Sequence, residues 1–220
     1  MQAEPTNSTH LQSFLDYRVF YKEPVFDLWD RRGAVAQTLF RAFRQWNVGA
    51  ENINRSPNPA DSGESLVSVE LLNKRVLFSV GLTSAGAVVT RPAWDEQAQL
   101  LAIASAGIEA VRSILTVSMS RQVVSLAMHL QPQGRTILDI TSNFVRPIAA
   151  FAGQDTPTAF GFSVYSENAA WVVDRSALFS NTLFIRLTRS FPADQTLAEV
   201  ANTLRKDEEK TLGILGLRIA

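Results

Sequence analysis

Alternating hydrophobic and polar residues predict strands in two separate parts of the chain. In the first part, Val67, Val69 and Leu71 alternate with polar residues, and similar runs follow at 75–82 and 87–90. The second part has three such runs, at 159–165, 169–175 and 182–190. One more strand precedes each group, at 14–22 and at 121–130. Because short turns join the runs, the pattern predicts mostly antiparallel pairing.

A hydrophobic spacing of three to four residues predicts helices between these strands. Three segments have it: 26–46, 92–115 and 192–212. In the first segment Leu28, Leu39 and Phe43 share one side of the helix. Pro92 and Pro192 open the other two, each followed by an acidic residue, which is typical of a helix N-terminus. We expect Gly213 to end the last helix.

The order of predicted elements indicates an α+β fold with helices packed on one face of a mostly antiparallel sheet. The segment 136–150 is compatible with either a strand or a helix. If it is a helix, both halves of the chain follow the order β-α-β-β-β-α, which predicts an internal duplication.

Three parts make up the predicted domain organisation. Residues 1–11 form a flexible N-terminal tail, 12–119 the first αβ half and 120–220 the second, with both halves packed as one compact unit. The polar segment 49–65, rich in Asn, Pro, Ser and Gly, is expected to be a loop.

Composition narrows the classes of function. Among 220 residues, 46% are hydrophobic, and 21 basic residues balance 21 acidic ones, so net charge gives no support to nucleic-acid binding. There is no cysteine, which excludes disulfides, thiolate catalysis and cysteine-containing metal sites. The first ten residues lack the features of a signal peptide, and no apolar run is long enough to span a bilayer. We therefore predict a cytoplasmic protein with no membrane association.

Catalytic signatures are absent from the sequence. It contains no phosphate-binding glycine motif and no His-x-x-x-His or Asp-x-Asp-x-Asp pattern, so we predict no cofactor and no metal. Of its two histidines, only His129 lies within a predicted element, and no strained Gly-x-Ser-x-Gly turn accompanies it. We therefore favour a non-enzymatic protein, and we assign no catalytic residue.

Five residues are candidates for binding because they combine charge or a polar tip with a position in or beside the predicted sheet: Trp94, His129, Trp171, Arg186 and Arg189. The first hypothesis is a protein-interaction or assembly module that associates with itself or with a protein partner. The alternative is a small apolar ligand, or an enzyme, with a pocket between sheet and helices. A second alternative is RNA or DNA binding on a sheet face, through Arg18, Arg186 or Arg189 and neighbouring aromatic rings.

Overall fold

A computed structural model describes residues 5–55, 65–145 and 161–219 of the protein. The strands are β1 (Thr6–Tyr21), β2 (Ile53–Arg55), β3 (Ser65–Leu71), β4 (Val76–Gly81), β5 (Ser84–Thr90), β6 (Met119–Pro132), β7 (Phe162–Tyr165), β8 (Ala169–Arg175), β9 (Leu183–Pro192) and β10 (Leu217–Ile219). The helices are α1 (Leu28–Phe43), α2 (Gln97–Ile114), α3 (Ile137–Val145) and α4 (Leu197–Leu215). The strands pair mostly antiparallel, so the predicted α+β class is confirmed.

The chain divides into two compact units. Unit 1 comprises Met1–Ser13, Ser125–Arg189 and Asn202–Ala220, and unit 2 comprises Phe14–Val124 and Ser190–Ala201. Strands β1, β6 and β9 and helix α4 each contribute residues to both units. Two sequential halves, 12–119 and 120–220, stay a prediction.

Unit 2 places two helices on one face of its strands. The strand order is β2-β3-β4-β5-β1-β6, and antiparallel registers such as Phe78 opposite Ala87 and Tyr17 opposite Ala87 put these three side chains on one face. The Phe78 ring meets Phe43 of α1 at a centroid distance of 5.3 Å and also lies against Gly107 of α2. Both helices therefore pack on the side of the sheet that carries Phe78.

Unit 1 has the strand order β10-β1-β6-β9-β8-β7. Its helices also contact a single face: Phe144 of α3 stacks on Phe162, and Asp207 of α4 pairs with Arg189. Phe162 lies opposite Val173, and Val173 lies opposite Ile185, so these three side chains share one face of the sheet. Arg189 comes four residues after Ile185 in β9 and therefore lies on the same face as Phe162.

The prediction of a flexible tail over residues 1–11 is wrong for the part from Thr6 onward, which belongs to β1. The start of β1 pairs in parallel with β10, with Thr6 opposite Leu217, and the buried Ser8 hydroxyl donates to the Arg218 carbonyl at 2.8 Å. A polar segment thus gains backbone partners from the far end of the chain, which no local pattern could reveal.

The structure describes parts of two further segments, 49–65 and 136–150. The predicted loop 49–65 begins with a 3₁₀ turn at Ala50–Asn52 and strand β2, and residues 56–64 lie outside the described residues. The segment 136–150 is helical over α3, and 146–150 lies outside the described residues. Helix α3 starts with a capping box, in which the Thr136 amide donates to Asp139 Oδ2 at 2.8 Å and the Asp139 amide donates to Thr136 Oγ1 at 3.2 Å.

The element order is repeated along the chain. The first series is β1, α1, β3, β4, β5, α2, and the second is β6, α3, β7, β8, β9, α4, with β2 and β10 as additions. The hydrogen-bonded order also corresponds, since β3-β4-β5-β1 matches β7-β8-β9-β6. An origin by internal duplication stays a prediction.

Helix α4 does not end at Gly213 as expected. It ends at Leu215, and the next residue, Gly216, has a φ of +64°, a left-handed conformation that costs glycine no steric strain. The chain can then turn directly into β10.

The close approach of α2 to the sheet generates a first prediction. A Cβ added at Gly107 would overlap the Phe78 ring, whereas Gly33 in α1 has nothing within 4 Å of such a Cβ. We expect Gly107→Ala to lower the free energy of unfolding by about 1–3 kcal/mol through overpacking. The matched control Gly33→Ala should raise it by about 0.5–1 kcal/mol through helix propensity. Urea unfolding measures both, and stabilisation by Gly107→Ala would contradict the packing.

Candidate functional site

Strand β7 is an exposed, apolar edge strand of unit 1. Among the described residues it pairs only with β8. Val164 and Tyr165 are 52% and 74% exposed. The strand reads Phe-Ser-Val-Tyr and contains neither a charged residue nor proline. Natural proteins usually protect an edge strand with such residues, because its unpaired backbone groups bind other strands.

Apolar side chains extend from this edge over the face that carries the helices. Val164 lies opposite Trp171 in the antiparallel register, and Phe162 lies opposite Val173. The ring of Phe144, itself 40% exposed, stacks on Phe162 at a centroid distance of 5.1 Å. We call Phe144, Phe162, Val164 and Trp171 the β7 patch.

Arg189 holds Trp171 at the border of the β7 patch. Its guanidinium carbon lies 5.8 Å from the centroid of the Trp171 ring, a cation–π distance. Two hydrogen bonds, of 2.7 and 2.9 Å, join the same guanidinium to the Asp207 carboxylate. The fold thus brings two of the five predicted residues together, and the Arg189 charge is already balanced by a carboxylate.

Arg186 does not join this group. It lies opposite Val172 and is exposed, whereas Arg189 lies opposite Ala169. Because side chains alternate along a strand, residues three positions apart point to opposite faces. Arg186 is therefore on the face of β9 away from α3 and α4.

His129 is buried on that second face, at 6% exposure, beside the rings of Phe179 and Phe184. Its Nδ1 lies 3.0 Å from the Ser176 hydroxyl, which also accepts hydrogen bonds of 3.1 Å from the amides of Leu178 and Phe179. These two amides occupy both lone pairs of the Ser176 oxygen, so its hydrogen is donated to Nδ1.

This arrangement makes His129 and Ser176 a structural pair. Ser176 is buried, and its oxygen is held by the two backbone amides, so in this geometry it does not face a substrate. The pair instead fixes the turn after β8 against β6. Burial lowers the pKa of His129, which favours the neutral ring that can accept the Ser176 hydrogen.

The remaining candidates lie in unit 2. Trp94 is half-buried in a 3₁₀ turn, Trp94–Glu96, directly before α2. Arg18 on β1 forms an ion pair with Asp16, with 3.0 Å between Nε and Oδ1.

Sequence reasoning missed Phe144, Val164 and Tyr165. The available signal was the uncharged run Phe-Ser-Val-Tyr, whose importance depends on its position at the sheet edge. Gln122, deeply buried on β6, was also missed, because a lone glutamine in a strand has no local signature.

Comparisons with known proteins add no functional assignment. The sequence matches no protein-family model, and no curated protein is significantly similar to it. Within residues 5–55, 65–145 and 161–219, no helix has the length and apolar character required to cross a membrane. The same residues contain no group of three or more histidine or acidic side chains arranged to hold a metal ion.

The His129–Ser176 pair predicts a pH-dependent stability. Because the folded-state pKa of His129 is lowered, the unfolded chain binds a proton at higher pH than the folded chain. The stabilisation is fully present above about pH 6.5, the ordinary histidine value, and decreases as pH falls below it. Urea unfolding between pH 5 and pH 8 measures this loss.

The chain's only other histidine, His10, also has a pKa that burial lowers, so it contributes to the pH dependence in the same direction. The contribution of His129 is therefore measured in the His10→Gln background, in which we expect His129→Gln to reduce the remaining pH dependence strongly. Ser176→Ala should cost about 1–3 kcal/mol at pH 7.5, since it leaves buried groups without partners. An unchanged pH profile in His129→Gln would contradict the assignment.

Proposed function

We propose that this protein is a non-enzymatic, self-associating interaction module, in which the β7 strands of two copies pair with each other. The observation that carries the proposal is the exposed, uncharged edge of β7, with Val164 and Tyr165 largely in contact with solvent. Pairing would remove from water the apolar side chains and the backbone groups of β7 that have no strand partner within the described part of the chain.

The sequence of β7 fits a twofold arrangement. In antiparallel pairing, residues that lie opposite each other point to the same face of the sheet. If a twofold axis passes through Ser163, the Ser163 residues of the two copies lie opposite each other, and each residue meets one whose side chain is on the same face. Phe162 then lies opposite the second copy's Val164, and Tyr165 lies opposite the second copy's Gly161. Aromatic pairs with β-branched residues stabilise a sheet by roughly 0.2–1 kcal/mol each, and symmetry repeats each pair.

The β7 patch would enlarge this contact. Val164 lies beside Trp171 on the helix face, and Phe162 carries the ring of Phe144. Aromatic rings and arginine are enriched in the centres of protein interfaces, and Arg189 against Trp171 supplies both. These residues would lie along the edge that the second copy covers.

Protein association is better supported than nucleic-acid binding. The guanidinium groups of Arg18 and Arg189 are each paired with a carboxylate, which weakens their attraction for phosphate. Arg186 lies on the opposite face from Arg189. A cytoplasmic location, consistent with the lack of cysteine, is part of the same proposal.

Val164→Lys tests the proposal directly. A charge at the centre of the paired strands should shift the protein from dimer to monomer, because pairing would bury the lysine. The matched control is Leu178→Lys, which changes an apolar residue of unit 1 that is 66% exposed and lies outside β7. Sedimentation equilibrium over a range of protein concentrations measures the association. Equal association in both variants, or a wild-type monomer at all concentrations, would refute β7 pairing.

A single cysteine tests the register. The chain has no cysteine, so Ser163→Cys introduces one unique thiol at the predicted axis. Opposite Cα atoms in antiparallel strands are about 4.5–5.5 Å apart, within the range that a disulfide spans. Under mild oxidation we expect Ser163→Cys to form a covalent dimer rapidly, whereas Ser180→Cys, exposed in the turn after β8, should not. Similar rates for the two variants would contradict this register.

A further inference from the structure

Unit 2 contains a cleft of about 310 Å³ that is separate from β7. One wall is helix α2, the floor comes from β1 and β6, and the segment 193–197 closes the opposite side. All of these residues belong to unit 2. The volume lies at the lower end of the range for small-molecule sites.

Buried polar groups build the floor of this cleft. The Tyr17 hydroxyl donates to Gln122 Oε1 at 2.8 Å. The Gln122 amide nitrogen in turn lies 3.0 Å from the carbonyl oxygen of Pro192 and 2.6 Å from that of Gln195. Gln122 therefore fixes the segment after β9 beside β1, so the cleft is a preformed feature of unit 2.

Arg112, exposed at the cleft, supplies a positive charge that forms no ion pair with a carboxylate among the described residues. Its only hydrogen bond among the described residues is a weak one, from Nη2 to the Met119 sulfur at 2.8 Å. None of the ion pairs seen between described residues includes Arg112. Burial raises the pKa of Tyr17, and the nearby Arg112 charge opposes that rise, in keeping with a guanidinium close to the phenol.

Apolar side chains lie beside this cation. Val19 and Ile108 are buried and line the cleft, and Leu197 lines its opposite side. The acidic residues Glu109 and Asp194 are exposed at its border. Their charges repel anionic ligands, and the repulsion is smallest for a ligand with a single negative charge and larger for ligands with several, such as phosphate esters.

We propose that this cleft binds a small amphipathic monocarboxylate. Its carboxylate accepts hydrogen bonds from the Arg112 guanidinium, and its apolar body packs on Val19, Ile108 and Leu197. A guanidinium binds a carboxylate through two parallel hydrogen bonds. Arg112 would exchange its hydrogen bond to the Met119 thioether, a far weaker acceptor, for these two bonds. The site does not depend on β7, so it stands whether or not the protein associates with itself.

Titration with 3-phenylpropionate tests the proposal, because this probe combines one carboxylate with a short apolar body. The full-length protein is titrated while its backbone amide NMR signals are recorded. We expect saturable shifts centred on Ser105, Met119 and Gln122. The uncharged analogue 3-phenylpropanamide should bind about tenfold or more weakly, since it lacks the charge-assisted hydrogen bonds.

Two variants test whether the Arg112 charge is the one that binds the carboxylate. Arg112→Gln should weaken binding of the carboxylate about tenfold or more and leave binding of the amide unchanged. Arg121→Gln is the matched control: Arg121 is also in unit 2, but it stacks over Phe20, 5.0 Å from the ring centroid, and does not line the cleft. Its effect should stay within about twofold.

Three results would overturn the proposal. The first is no saturable shift at millimolar probe, and the second is equal affinity for the acid and the amide. The third is equal weakening by Arg112→Gln and Arg121→Gln. The Tm of each variant is measured in parallel, so that a loss of binding through unfolding is recognised. If Arg112→Gln lowers the Tm, Arg112→Lys is measured in its place. Because lysine keeps the positive charge, Arg112→Lys should bind the carboxylate more tightly than Arg112→Gln and less tightly than the wild type.

Discussion

The packing of Phe78 against Gly107 is the constraint on which unit 2 depends. The Phe78 ring contacts Phe43 of α1 and the bare backbone of α2, so one side chain sets how closely both helices approach the sheet. Ile108 follows Gly107 directly and lines the cleft, and Arg112 lies about one turn further along α2. A wider separation of helix and sheet would therefore open the cleft and move its cation away from Tyr17.

Much of the fold could be predicted from the sequence, because alternation and helical spacing report burial directly. Val67, Val69 and Leu71 are buried as their alternation indicates, and so are Leu28, Leu39 and Phe43 of α1. Prediction failed where distant residues decide the structure, as in the polar start of β1. It stayed ambiguous at 136–150, although the Thr-x-x-Asp capping box at Thr136 was a local signal for a helix.

The candidate site was less accessible to sequence reasoning. Trp171 and Arg189 lie on strands β8 and β9, and a role for them in binding stays a prediction, but their contact depends on the register between the two strands. Arg186 and Arg189 were grouped together although strand alternation separates their side chains. The exposure of Val164 follows from the position of β7 in the strand order, and strand order is a property of the whole chain.

The parallel pairing of β10 with the start of β1 has a consequence for synthesis on the ribosome. The Ser8 hydroxyl and its acceptor on Arg218 are 210 residues apart in sequence. The start of β1 is therefore synthesised long before its partner strand, and its backbone hydrogen bonds to β10 form only after β10 has been made. Contacts of such long range form slowly, because a large loop must close first. Unit 2 has no such requirement for Phe14–Val124, so that segment is free to fold earlier, and β1 is completed from its middle toward its beginning.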